Sequence, residues 1–68
     1  MTNTSLLEQY IENSGYKKSH IAKELGLTAY GLALKINNKS EFKASEMLIL
    51  CELLKIGAED KEAIFFAK

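Results

Sequence analysis

Gly26 lies between two short segments, residues 17–25 and 28–36, in which apolar residues recur at helical spacing. Glycine adopts a left-handed backbone without steric cost, so we expect Gly26 to end the first helix in a tight turn. Ala22 is small where two helices would cross closely, and Leu32 returns to the interior six residues after the glycine. The spacing of these three residues predicts two packed helices joined by a turn.

The chain before this pair predicts another helix, from about Ser5 to Ser14. Ser5 followed by Glu8 is the capping-box pattern, and Gly15 is expected to end the segment. In the second helix of the pair, Thr28 is placed to cap the N-terminus.

Two more helices are predicted after the pair. The fourth begins near Ser45, ends near Gly57 and is apolar around most of its circumference, so we expect it to be buried on most sides or to join another chain. The fifth begins near Glu59. Phe65 and Phe66 point about 100° apart on a helix, so we expect only one of them to reach the core. The sequence therefore predicts an all-α fold of five helices.

The length of 68 residues fits a single domain. The single cysteine, Cys51, excludes an intrachain disulfide, and we expect it to be a small core residue. We expect a cytoplasmic protein without membrane contact, because we find neither a signal peptide nor an apolar run long enough to span a bilayer. His20 lacks neighbours that could ligate a metal or form a catalytic cluster, so we expect no enzyme, no cofactor and no metal site.

Charge is unevenly distributed, although the chain is neutral overall. Residues 17–43 hold six lysines and two glutamates, a net charge of +4, whereas the segments before and after each carry −2. A local positive patch of this kind can face phosphates. There is no arginine, so the residue that most often reads guanine is missing and lysine supplies all of the positive charge. We call residues 17–43 the basic segment.

Two short helices around a glycine turn, at about residues 17–36, are typical of a helix-turn-helix. The phrase Ile-Ala-Lys-Glu-Leu-Gly-Leu-Thr, the later phrase Leu-Lys-Ile-Asn-Asn-Lys-Ser-Glu-Phe-Lys-Ala-Ser-Glu and the ending Lys-Glu-Ala-Ile-Phe-Phe-Ala carry a resemblance. The sequence resembles the Cro and repressor class of phage helix-turn-helix regulators, above all small proteins of phages and prophages of low-GC Gram-positive bacteria. The likeness extends over nearly the whole chain.

The resemblance implies a five-helix domain like that of lambda repressor, acting in transcription regulation such as a lysis–lysogeny switch. It implies operator DNA as the partner, with the third helix in the major groove, and a homodimer as the assembled state. By position it implies phosphate contacts from Lys17, Lys18 and Ser19, backbone or base contacts from Thr28, base readers at Ala29, Tyr30, Ala33 and Leu34, and further phosphate contacts from Asn37, Asn38 and Lys39.

The presumed base readers depart from the family pattern. Among the four, only Tyr30 has a hydrogen-bonding group, whereas specific readout normally uses Arg, Lys, Asn or Gln. An apolar face with a tyrosine also suits a protein partner, because aromatic residues are enriched at interface hot spots. A second hypothesis therefore stays open: the chain resembles phage antirepressors, which use their own helix-turn-helix face to bind the DNA-binding domain of a repressor.

Overall fold

The computed structural model describes residues 1–67, which form five α-helices and contain no strand. In chain order the helices are α1 (Thr4–Ser14), α2 (Lys18–Glu24), α3 (Ala29–Ile36), α4 (Ala44–Leu54) and α5 (Ala58–Phe65). The predicted all-α class is thus confirmed. No helix in the described part of the chain is both long enough and apolar enough to cross a membrane.

Every helix contributes one large, fully buried side chain to a common core. These residues are Leu7, Ile21, Leu32, Leu50 and Ile64. Phe42, in the loop between α3 and α4, packs edge-on against Phe65 with 5.5 Å between ring centroids. Helices as short as these are marginal in water when isolated, so the shared core is what keeps each of them folded.

The turn between α2 and α3 is a Schellman motif at Gly26, whose φ is +71°. The Leu27 amide donates to the Ala22 carbonyl at 2.8 Å, and the Gly26 amide donates to the Lys23 carbonyl at 3.1 Å. These bonds satisfy carbonyls that the end of a helix would otherwise leave unpaired. The predicted left-handed turn at Gly26 is confirmed.

Helices α2 and α3 pack directly against each other beyond this turn. Ala22 is 2% exposed and Leu32 is 1% exposed, in agreement with their predicted places in the interior. Thr28 caps α3 as predicted, because its hydroxyl oxygen accepts a hydrogen bond from the Gly31 amide at 3.0 Å. Hydrogen bonds and apolar packing therefore both define the angle at which α3 leaves α2.

The predicted capping box at the start of α1 is wrong. The helix begins at Thr4, and its cap is Asn3, whose side-chain oxygen accepts from the Leu6 amide at 3.1 Å. Ser5 is an exposed residue inside the first turn and makes no cap. Asn3 holds this position because its own amide donates to the Ile64 carbonyl, 2.6 Å away, which attaches the start of α1 to α5.

The end of α4 also differs from the prediction. The helix stops at Leu54, and Lys55 rather than Gly57 adopts the left-handed conformation, with φ of +57°. Ile56 is buried, and its amide closes the turn on the Cys51 carbonyl at 2.9 Å. Burying Ile56 requires the chain to turn before it, which leaves Gly57 as the N-cap of α5.

The expectations about apolar side chains were met in part. Phe65 is 4% exposed and Phe66 is 58% exposed, so only one of the pair reaches the core, as predicted. Helix α4 is less enclosed than expected, because Leu48 and Ile49 remain 56% and 37% exposed in the single chain. Cys51 is half-buried against the core.

Replacing Gly26 with alanine should lower the free energy of unfolding by about 1–2 kcal/mol, because a β-carbon strains a left-handed backbone. The cost is conformational, since no atom lies within 4 Å of the added carbon. Gly26→Asn should lose less, because asparagine tolerates this conformation better. Urea unfolding followed by circular dichroism measures both variants. Equal stability of Gly26→Ala and the wild-type chain would contradict the left-handed turn.

Candidate functional site

The four predicted base readers lie on one side of α3. At 3.6 residues per turn their positions fall within an arc of about 140°, whose centre lies opposite the buried Lys35. Three of them, Ala29, Tyr30 and Ala33, are exposed, and the fourth, Leu34, is half-buried. We call these four residues the outer face of α3. Tyr30 is its most prominent member, with 74% of its surface exposed.

The one lysine of α3 does not belong to this face. Lys35 is 8% exposed, and its Nζ donates to Oε1 of Glu46 on α4 at 2.5 Å. The same carboxylate oxygen accepts the backbone N–H of Lys43 at 2.8 Å, so it also caps the start of α4. The pair ties the last turn of α3 to the first turn of α4.

Lys35 is one of the six lysines of the basic segment, whose charge predicted a patch that could face phosphates. For Lys35 this prediction is wrong, because its side chain is buried. A signal was present, because Lys35 lies three residues after Leu32 and next to Ile36, on the inward side of α3. Its partner could not be found in the same way. Glu46 is eleven residues away and on another helix, so no spacing rule within one helix relates the two.

Two opposing influences act on the pKa of Glu46. Burial alone would raise it, but the hydrogen bonds from Lys35 and from the Lys43 amide, with the charges of both lysines, outweigh burial. The net result is a pKa below the ordinary value of 4.5. Glu46 therefore stays ionised at neutral pH and keeps Lys35 fixed in place.

Exposed polar residues flank the outer face on both sides in sequence. At the start of α2, Lys17, Lys18 and Ser19 are exposed, and after α3 the same holds for Asn37 and Lys39. Lys18 forms an ion pair with Glu8 at 2.9 Å, but both side chains remain half-exposed. Pairs this open to water contribute little, so Lys18 can exchange Glu8 for another anion.

Asn38 has a structural task that sequence reasoning did not identify. Its side chain accepts from the Thr2 amide at 2.7 Å and donates to the Thr2 carbonyl at 2.9 Å. Beside it, the Thr4 hydroxyl donates to the Ile36 carbonyl at 2.6 Å. Asn38 therefore clamps the N-terminal segment across the end of α3, and its amide is already used within the fold. Its φ of +64° is the left-handed conformation that often ends a helix.

The groups with catalytic potential are dispersed or screened. His20 is exposed, stacks on Tyr16 with 5.1 Å between ring centroids, and lies 3.7 Å from the Glu24 carboxylate. Burial raises the pKa of the Cys51 thiol, only partly offset by Lys61, which disfavours the reactive thiolate. Within residues 1–67, no three His, Cys, Asp or Glu side chains gather in a way that could hold a metal ion.

Comparison with known proteins gives no significant match to a family model, a curated protein or a solved structure. The strongest local feature of the chain is an uncharged outer face of α3, held by the turn at Gly26 on one side and by the Lys35–Glu46 pair on the other.

Lys35→Met should lower the free energy of unfolding by about 3–5 kcal/mol, because it leaves the buried Glu46 carboxylate unpaired. Lys18→Met is the matched control, and its exposed ion pair should contribute less than about 1 kcal/mol. Urea unfolding of both variants tests the difference. Combining Lys35→Met with Glu46→Gln removes both charges and should recover part of the loss. Similar stabilities for the two single variants would show that the Lys35 pair is exposed to water in solution.

Lowering the pH should weaken the fold through Glu46. Because its pKa is lower in the folded chain than in the unfolded one, the stabilisation is complete above the ordinary value of 4.5 and is lost as the pH falls through the folded value. Thermal unfolding measured from about pH 7 to about pH 3 should show this decline in stability. Glu46→Gln should show a shallower decline, and identical profiles would contradict the lowered pKa.

Proposed function

We propose that the chain is a DNA-binding transcriptional regulator of the phage Cro and repressor class, with α2 and α3 as its helix-turn-helix. One observation carries the proposal. The Schellman turn at Gly26, with Ala22 and Leu32 buried beside it, holds α3 so that Ala29, Tyr30 and Ala33 remain exposed on one side of the helix. A folded chain that leaves a helix face open between exposed lysines is suited to a polyanionic groove.

The proposed roles of the lysines and of the outer face of α3 follow from their charges. Lys17, Lys18 and Lys39 are exposed and flank the outer face in sequence, so they would neutralise phosphates without reading bases. The outer face of α3 would then meet base edges in the major groove. Operator DNA is the proposed partner.

A second function is favoured by the composition of the same face. Tyr30, 74% exposed, and the apolar side chains around it resemble the centre of a protein interface more than a typical base-reading helix. In this version the chain is an antirepressor, and the outer face binds the DNA-binding domain of a phage repressor. The exposed lysines would then face acidic groups of that protein.

Titration against DNA from the promoter region beside its own gene, at several salt concentrations, tests the primary proposal. Lys18→Ala and Lys39→Ala should weaken binding to all duplexes alike, and each should reduce the slope of log K against log salt by about 1. Lys55→Ala, the same charge change outside the basic segment, is the control and should leave the slope unaltered. Tyr30→Ala should weaken binding by either function, so it tests the face and not the partner.

A parallel titration uses the DNA-binding domain of a phage repressor, which is the partner that the antirepressor proposal names. Undetectable or salt-insensitive DNA binding, together with tight binding of that repressor, would reject operator binding and support the antirepressor. Salt-dependent DNA binding without affinity for the repressor would support operator binding and reject the antirepressor.

A further inference from the structure

The outer face of α3 presents carbon where base-reading helices normally present hydrogen-bonding groups. Ala29 and Ala33 are both exposed, and they lie one helical turn apart on the same side. Leu34 adds a half-buried apolar side chain beside them. Lys35, the only charged residue of the helix, is held inward by Glu46 and cannot reach the solvent side. A ligand that meets the side of this face formed by Ala29 and Ala33 therefore encounters methyl groups, next to the exposed ring of Tyr30.

The edges of base pairs differ in what they can offer to such a surface. Guanine, cytosine and adenine present donors and acceptors in the major groove, whereas thymine also presents the methyl group on its C5 carbon. A polar edge pressed against alanine loses its water without gaining a partner, which is costly. A methyl group pressed against alanine gains by the burial of apolar surface. The chemistry of the face thus distinguishes bases by the presence of this methyl group.

We propose that α3 recognises DNA by the C5 methyl groups of the major groove, contacted by Ala29 and Ala33. The inference rests on the proposed DNA-binding function and names its ligand class, which is duplex DNA rich in thymine or in 5-methylcytosine. The lysines of the basic segment supply affinity that is independent of sequence. The two alanines supply discrimination between sequences, and the inward position of Lys35 leaves this face without a charged side chain that could bind guanine.

Two pairs of synthetic duplexes, each of about 20 base pairs or two helical turns, isolate the methyl group. In the first pair an alternating adenine–thymine duplex is compared with the same duplex carrying uracil in place of thymine. In the second pair an alternating guanine–cytosine duplex is compared with the same duplex carrying 5-methylcytosine. Within each pair the bases differ only by the methyl group, and fluorescence anisotropy gives the affinities.

The methylated member of each pair should bind more tightly by about fourfold or more, which corresponds to the burial of one carbon group per site. Ala33→Ser replaces a methyl surface by a hydroxyl and should reduce this ratio towards one. Ala63→Ser makes the same change on an exposed residue of α5 and should leave the ratio intact. Lys39→Ala should weaken binding to all four duplexes equally and also preserve the ratio.

The outcomes separate this inference from the proposed function. Salt-dependent binding with equal affinities inside each pair would overturn methyl recognition and leave DNA binding in place. A methyl preference that Ala33→Ser does not change would overturn the assignment to α3. No binding to any duplex would reject the proposed function and the inference with it.

Discussion

The hydrogen-bonded turn at Gly26 is the constraint on which the rest of the site depends. Its left-handed backbone lets the Leu27 and Gly26 amides close on the last carbonyls of α2, and Thr28 then opens α3 with a side-chain cap. Because these bonds span only a few residues, they fix the direction of α3 locally. The buried Ala22 allows the helices to approach closely enough for Leu32 to enter the core.

The Lys35–Glu46 pair holds the other end of α3. A charged pair this enclosed is not evidence of high stability in itself, since removing two charges from water is costly. Its geometric effect is clearer. It turns the one charged side chain of α3 away from the solvent side and attaches the helix to α4, with Glu46 also capping α4 through the Lys43 amide. The uncharged outer face of α3 is therefore a result of packing as well as of composition.

The N-terminal segment holds the end of α3 with only a few residues. Asn38 pairs with both backbone groups of Thr2, and the Thr4 hydroxyl reaches the Ile36 carbonyl, so the end of α3 is braced by residues far away in sequence. Asn3 bonds to Ile64 at the same time. In a chain of 68 residues the core is small, so polar contacts of this kind add to what holds the short helices together.

Local rules were enough to predict five helices, the turn at Gly26, the cap at Thr28 and the burial of only one of Phe65 and Phe66, because each depends on residues within a few positions of one another. The outer face of α3 was also predictable, since helical periodicity alone separates it from Leu32. The inward orientation of the Lys35 side chain was decided by tertiary structure, because its counter-charge, Glu46, comes from another helix. The early end of α4 has the same origin: Ile56 turns the chain towards the core, and only the assembled core sets where that must happen.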